Sequence, residues 1–270
     1  MDESKAEKPF WWGKYTIPED EAGHWRIGPL DLWVYRSRHE WRIASENSDD
    51  PLDGGLLVQV PLAKDLSEDQ PNAHRFGFRK TKGTLLLVPT LADRSIVINP
   101  ATPFSLLPDE ELTIYVSTAL WVKIRAGEPP HDLLEIPTYR PSDTWFGPST
   151  REGELCYAGK TGARQQLENL PIRPHRALSA VRVRNLANSN LSVERLKLPM
   201  PHMSLFAAGG GQLWTETVTL QREQDGELAA LQLGKKPPSM ITKPSLISGP
   251  REQPTKGLLI RAFGGLIGRE

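Results

Sequence analysis

The chain has 270 residues, enough for one large or two medium domains, each with its own core. Hydrophobic residues make up 38% and charged residues 24%, a balance that excludes a disordered chain. Thirty-three basic residues match thirty-three acidic ones, so the zero net charge supplies no basic surface for nucleic acid.

Cys156 is the one cysteine, which rules out a disulfide framework within the chain. The N-terminus, Met1-Asp2-Glu3-Ser4-Lys5, lacks the basic-then-apolar order of a signal peptide. The longest uncharged run, Leu198 to Thr215, carries Pro199, Pro201 and Gly209-Gly210-Gly211 and cannot be a continuous membrane helix. No transmembrane segment is expected, and a cytoplasmic address follows by elimination. Twenty-four prolines are close to double the usual share of about 5%. Proline breaks helices and marks strand ends and turns, so the excess points away from a helical protein.

The first elements are strands. Leu30, Leu32 and Val34 alternate with Asp31, Trp33 and Tyr35, and Trp41 and Ile43 follow after Ser37-Arg38-His39, predicting a hairpin. Leu56, Val58 and Val60 follow the turn residues Asp53-Gly54-Gly55. Phe76 and Phe78, Thr84 to Val88, Ile96 and Ile98, then Leu112 to Val116 and Leu120 to Ile124 continue the pattern. From Gly127 to Pro174 seven prolines interrupt the chain, which reads as a long connection with a short strand near Leu155 to Tyr157. A second β block begins at Ala177. Val181 and Val183 alternate with Arg182 and Arg184, a bulge is expected near Arg195, and Leu213 to Leu220 and Leu228 to Leu233 follow. From Lys235 onward Pro237, Pro238, Pro244, Pro250 and Pro254 predict an extended, flexible tail.

The fold class is therefore mostly β, as two sandwich-like antiparallel β domains with a Pro-rich connection and a flexible C-terminal tail. The expected partition is an N-terminal arm at 1–24, a first β domain at 25–140, the connection at 141–174, a second β domain at 175–234 and the tail at 235–270.

Chemical motifs are sparse. Gly159-Lys160-Thr161 resembles part of a phosphate loop, but the glycine that should stand five residues earlier is Glu154. Cys156 lies between Leu155 and Tyr157 with no base in view, and reads as a small buried residue. The six histidines, 24, 39, 74, 131, 175 and 202, share no zinc-site spacing. No catalytic residue, metal or cofactor is assigned.

The tryptophans say more. Five of eight fall within the first 41 residues. Trp25, Trp33, Tyr35 and Trp41 are the candidate ligand or partner surface, an aromatic platform that would suit a sugar face or a protein. The competing reading is that Phe10, Trp11 and Trp12 fold back and cover it. The second candidate is the terminal apolar cluster. Its residues at 258, 259, 262, 263, 266 and 267 match helical spacing, and Leu259, Phe263, Leu266 and Ile267 are the expected docking residues.

Two stretches carry a resemblance. One is Phe10-Trp11-Trp12-Gly13-Lys14-Tyr15 with Trp25-Arg26-Ile27-Gly28-Pro29-Leu30 and Trp33. The other runs from Arg195 to Phe206 with Leu213-Trp214-Thr215. Together they resemble the prokaryotic domain-of-unknown-function family numbered 432, over roughly residues 10 to 235. The resemblance implies no established activity and no catalytic residues. It also implies, for some relatives, an association with small-conductance mechanosensitive channels, so a membrane-channel partner is an expectation of the resemblance alone.

The function expected is a non-enzymatic β-rich binding or scaffold protein acting through protein–protein contacts, with a protein partner or self-association. The alternatives are a carbohydrate or small-ligand module built on the N-terminal tryptophans, and a hydrolase assembled from distant carboxylates or histidines.

Overall fold

Period-two alternation becomes paired strands along the chain. The computed structural model describes residues 10–62, 73–149, 151–160, 162–254 and 258–264. Among the described residues the helical pieces are two single 3₁₀ turns, Leu167–Asn169 and Met200–His202; the rest of the regular structure is strand. The mostly β expectation holds. Pairing is mainly antiparallel, with parallel ladders between Glu154–Ala158 and Ile96–Ile98, and between Arg176–Asn185 and both Leu213–Thr215 and Val218–Arg222.

Two compact units form, and they interleave in sequence. One draws on Met1–Pro89 and Val122–Tyr139, the other on Thr90–Trp121 and Arg140–Glu270. The contiguous partition expected from composition differs from this. The strands at 96–98, 104–106 and 111–119 pair with strands beyond residue 153, so they belong with the second unit. Prolines mark element ends here rather than a linker. His131–Pro137 and Asp143–Phe146 are strands in the stretch expected to be a connection, and Glu154–Ala158 is the short strand expected near Leu155 to Tyr157.

In the first unit, five strands run in the order Leu56–Leu62, Glu21–Ile27, Leu30–Arg36, Glu40–Asn47 and His74–Gly77. Gly28, at φ 61°, turns the corner between the second and third, a conformation that favours glycine. Trp11, Trp25, Trp41, Ile27, Leu30 and Leu32 are fully buried there.

In the second unit, Arg176–Asn185 is the central strand of an eight-stranded sheet. Glu111–Ala119 pairs along one edge for nine residues, and Leu213–Thr215 and Val218–Arg222 share the other. A five-stranded sheet runs Asp143–Phe146, Glu154–Ala158, Ile96–Ile98, Arg195–Leu198, Phe263–Gly264. The segment expected to be a flexible tail is woven into both. Ser245–Ser248 pairs with Leu205–Ala207, Leu259–Arg261 with Leu228–Leu233, and Phe263–Gly264 with Arg195–Leu198. Between the last two, the buried Ala262 donates its N–H to the Glu227 carbonyl at 3.0 Å and accepts from the Lys197 N–H at 2.9 Å. The helical spacing of the cluster is overridden here, because backbone groups at a sheet edge gain partners that an isolated, glycine-rich helix turn would lack.

Candidate functional site

The four aromatic residues of the expected platform do not share a face. The turn at Gly28-Pro29 sets Ile27 opposite Leu30, Trp25 opposite Leu32 and His24 opposite Trp33. Odd positions of the first strand therefore share a face with even positions of the second. Trp41 sits opposite Arg36 and Phe76, again on the inner face. Trp25 and Trp41 are consequently 0% exposed, and neither is available as a platform. Trp33 and Tyr35 lie on the outer face. Tyr35 is still largely covered: its hydroxyl donates to Asp20 Oδ1 at 3.2 Å, and the Arg42 guanidinium stands 5.4 Å over its ring. Trp33 is half-buried and stacks on the His24 imidazole, centroids 4.9 Å apart and planes 7° from parallel. His24 Nε2 lies 2.8 Å from Asp31 Oδ1. Trp33 is thus the member of the quartet that keeps an open aromatic surface, with a histidine and a carboxylate beside it.

The C-terminal docking residues separate in the same way. Phe263 is 2% exposed. Leu259 is 61% exposed, on the edge strand of the eight-stranded sheet. Leu266 and Ile267 lie outside the described residues.

Leu259 belongs to a larger surface that the residue pattern alone did not assemble. On the outer face of the sheet, Glu111 stands opposite Arg184, Arg184 beside Gln221, Gln221 opposite Ala230, and Ala230 opposite Leu259. Leu228, diagonal to Leu259 and 52% exposed, is opposite Arg261. Arg184 pairs with Glu111 at 3.1 Å and Arg261 with Glu227. The alternation of Arg182 and Arg184 with Val181 and Val183 signalled this face; the contribution of Leu228 needed the register.

The other end of the same face is covered. Leu170, Leu178 and Trp214 form a cluster joined by Tyr115, Leu167, Ala208 and Ile241. At this end two ionisable side chains are buried, Arg176 and Glu216. Arg176, buried, donates from Nε to Ser117 Oγ at 2.8 Å and from Nη2 to the Ser117 carbonyl at 2.6 Å. Burial, helped by nearby Arg173, lowers its pKa to about 10, which leaves it charged at neutral pH. The Glu216 carboxyl is 4% exposed and accepts the Ser204 N–H at 2.8 Å. Burial pushes its pKa up to about 7 against that backbone bond.

Cys156 is fully buried in a cluster with Val97 and Phe146. Burial first, then the neighbouring Glu154, pushes its thiol up to about 12, so it is a packing residue at neutral pH. Its partner Glu154 is held by Lys197 at 2.6 Å. Among the described residues no three of His, Cys, Asp and Glu group as a metal would require.

Between Pro100 and Asn169 the second unit opens a cleft of about 450 Å³. Its floor is Pro100, Phe104, Ile114 and Ala163; its rim holds Arg164, Gln165, Gln166 and Asn169. The rim is fixed from below. Arg164 exchanges two backbone bonds with Tyr115, at 2.7 and 2.9 Å, while Ala163 bonds to Asn99 and Ala101. The run Ala163 to Leu170 carries a weak helical pattern, realised as the Leu167–Asn169 turn, but nothing in it announces a cleft.

A family model described as a protein of unknown function, DUF432, matches residues 11–268. The chain belongs to that DUF432 family. The match extends the resemblance through the segment past residue 235, in keeping with the strands found there. No curated protein and no solved structure matches the chain. For this DUF432 member, function has to be argued from its own surfaces. Among the described residues no helix is long and apolar enough to cross a membrane.

Proposed function

We propose that this chain is a non-enzymatic binding or scaffold protein that acts through protein–protein contacts, and that the bare end of the eight-stranded sheet is its contact face. The observation that carries the reading is the exposed pair Leu228 and Leu259, at 52% and 61%, set diagonally across two paired strands. Burying one leucine side chain is worth roughly 1.5–3 kcal/mol, so two adjacent ones make a natural anchor. Around them Glu111 and Glu227 alternate with Arg182, Arg184 and Arg261. A face with both signs can pair with itself across a two-fold axis, and a chain of zero net charge does not repel its copy at long range. The partner favoured is therefore a second copy. One buried thiol and no disulfide suit a reducing compartment, which supports a cytoplasmic setting.

Sedimentation velocity over a range of concentrations tests this. The native chain should associate, and the double variant Leu228→Thr, Leu259→Thr should sediment as a monomer. A native chain that stays monomeric at every concentration would sink the reading.

A carbohydrate-binding reading keeps one supporting observation, the half-open Trp33 ring flanked by His24 and Asp31. Quenching of tryptophan fluorescence by a glycan panel, lost in Trp33→Leu, would favour it.

A further inference from the structure

The sheet face does not account for the cleft on the second unit. We propose that this cleft binds a small organic acid, an anionic oxygen headgroup on a compact apolar body.

The size fits. Sites for small molecules run to roughly 300–1,000 Å³, and this cleft measures about 450 Å³. Its polarity is divided. Ile114, 1% exposed, and Ala163, 4% exposed, form the floor with Pro100 and the half-buried Phe104. That floor receives a carbon skeleton, with one aromatic edge for a flat body.

The rim selects the headgroup. Among the described residues Arg164 is the one charged side chain lining the cleft, and no acidic side chain lines it. A guanidinium offers a planar fork of N–H donors that matches two oxygens of a carboxylate or a phosphate. The amides of Gln165, Gln166 and Asn169 stand next to it. Asn169 Nδ2 donates to Gln166 Oε1 at 3.1 Å, which orients that pair and leaves the Gln166 amide N–H groups for a ligand. A cationic group without a competing acid makes the potential in the mouth favour an anion.

The support is rigid. The backbone of Arg164 is bonded in both directions to Tyr115 in the long Glu111–Ala119 strand, and Ala163 is clamped on its other side by Asn99 and Ala101. A headgroup contact built on such a frame loses little entropy on binding. Carboxylate and phosphate share the chemistry, and the choice between them is left to experiment.

Ligand-observed NMR and calorimetry on the full chain test the proposal, with hexanoate and benzoate as carboxylates, hexyl phosphate as the phosphate, and hexanamide as the neutral control. At least one acid should bind saturably at one site per chain, tenfold or more tighter than hexanamide. Arg164→Gln removes the charge and keeps both backbone bonds; it should weaken that acid at least tenfold, the loss expected for one charge-assisted contact. Thr102→Trp, at the exposed lip, should block the same ligand without touching the arginine. Which acid binds tighter, hexanoate or hexyl phosphate, identifies the headgroup. Failure of every acid to saturate, or equal affinity in native and Arg164→Gln chains that melt alike, overturns it.

Discussion

At the Arg176 end of the central strand of the second unit, Tyr115, Leu178 and Trp214 pack with Leu167, Leu170 and Ile241. At the Asn185 end of the same strand, Arg182 and Arg184 stand in solvent, on a face that also bears Leu228 and Leu259. Among the described residues, one sheet face is thus capped by its own chain at one end and left uncapped at the other. The difference lies in what each end offers a neighbour. The capped end presents Leu178 and Trp214, large apolar groups whose exposure costs most. The uncapped end presents charges in cross-strand pairs, which hold the surface in water, around two leucines that water does not favour. Exposed apolar groups in a charged frame are what the proposed contact reading rests on.

Opening the capped end should have the largest effect. Trp214→Ala removes the centre of that cluster and should cost about 3–5 kcal/mol in denaturant unfolding, without changing association of whatever remains folded. A loss below about 1 kcal/mol would mean that the cap contributes little.

Next comes the acid buried at that end. Glu216 holds its proton in the fold up to about pH 7, while the unfolded chain releases it near 4.5. Between those values the folded state binds the extra proton, so stability falls as pH rises and levels off above about 7. Glu216→Gln removes the slope and should be more stable than the native chain at pH 8, by on the order of 3 kcal/mol, with little difference at pH 4. Parallel melting curves across that range would contradict a carboxyl whose proton is held by burial.

The smallest effect on stability belongs to the uncapped end. Leu228→Thr with Leu259→Thr should shift unfolding by less than about 0.5 kcal/mol per site, since exposed strand positions tolerate a β-branched polar residue. Their effect should appear in association alone. A large loss of stability would place the two leucines in the fold and take away the contrast between the ends.

Much of this was legible before any coordinates. Val181 and Val183 are buried and Arg182 and Arg184 reach solvent, as their alternation required. Cys156 is buried, as its apolar neighbours implied. What failed depended on partners far away in sequence. The facing of Trp25 follows from the turn at Gly28, and that of Trp41 from the pairing of Leu30–Arg36 with Glu40–Asn47; aromatic content alone groups them with Trp33. The prolines of 127–174 suggest a linker because proline stops a strand as well as a helix; only the pairing shows that strands lie between them. The terminal cluster had helical spacing within itself, and its true partners lie more than 25 residues back. The cleft was invisible because its floor and rim come from three separated segments.

The late strands carry a consequence for synthesis. Leu259–Arg261 and Phe263–Gly264 supply edges to two different sheets, and the Ala262 between them bonds to both. The first unit has all its strands once Tyr139 has left the ribosome, whereas the second must wait for Gly264. While it waits, the edges at Leu228–Leu233 and Arg195–Leu198 are open to strands of other chains. A nascent chain halted before residue 259 would therefore be sticky at two edges at once.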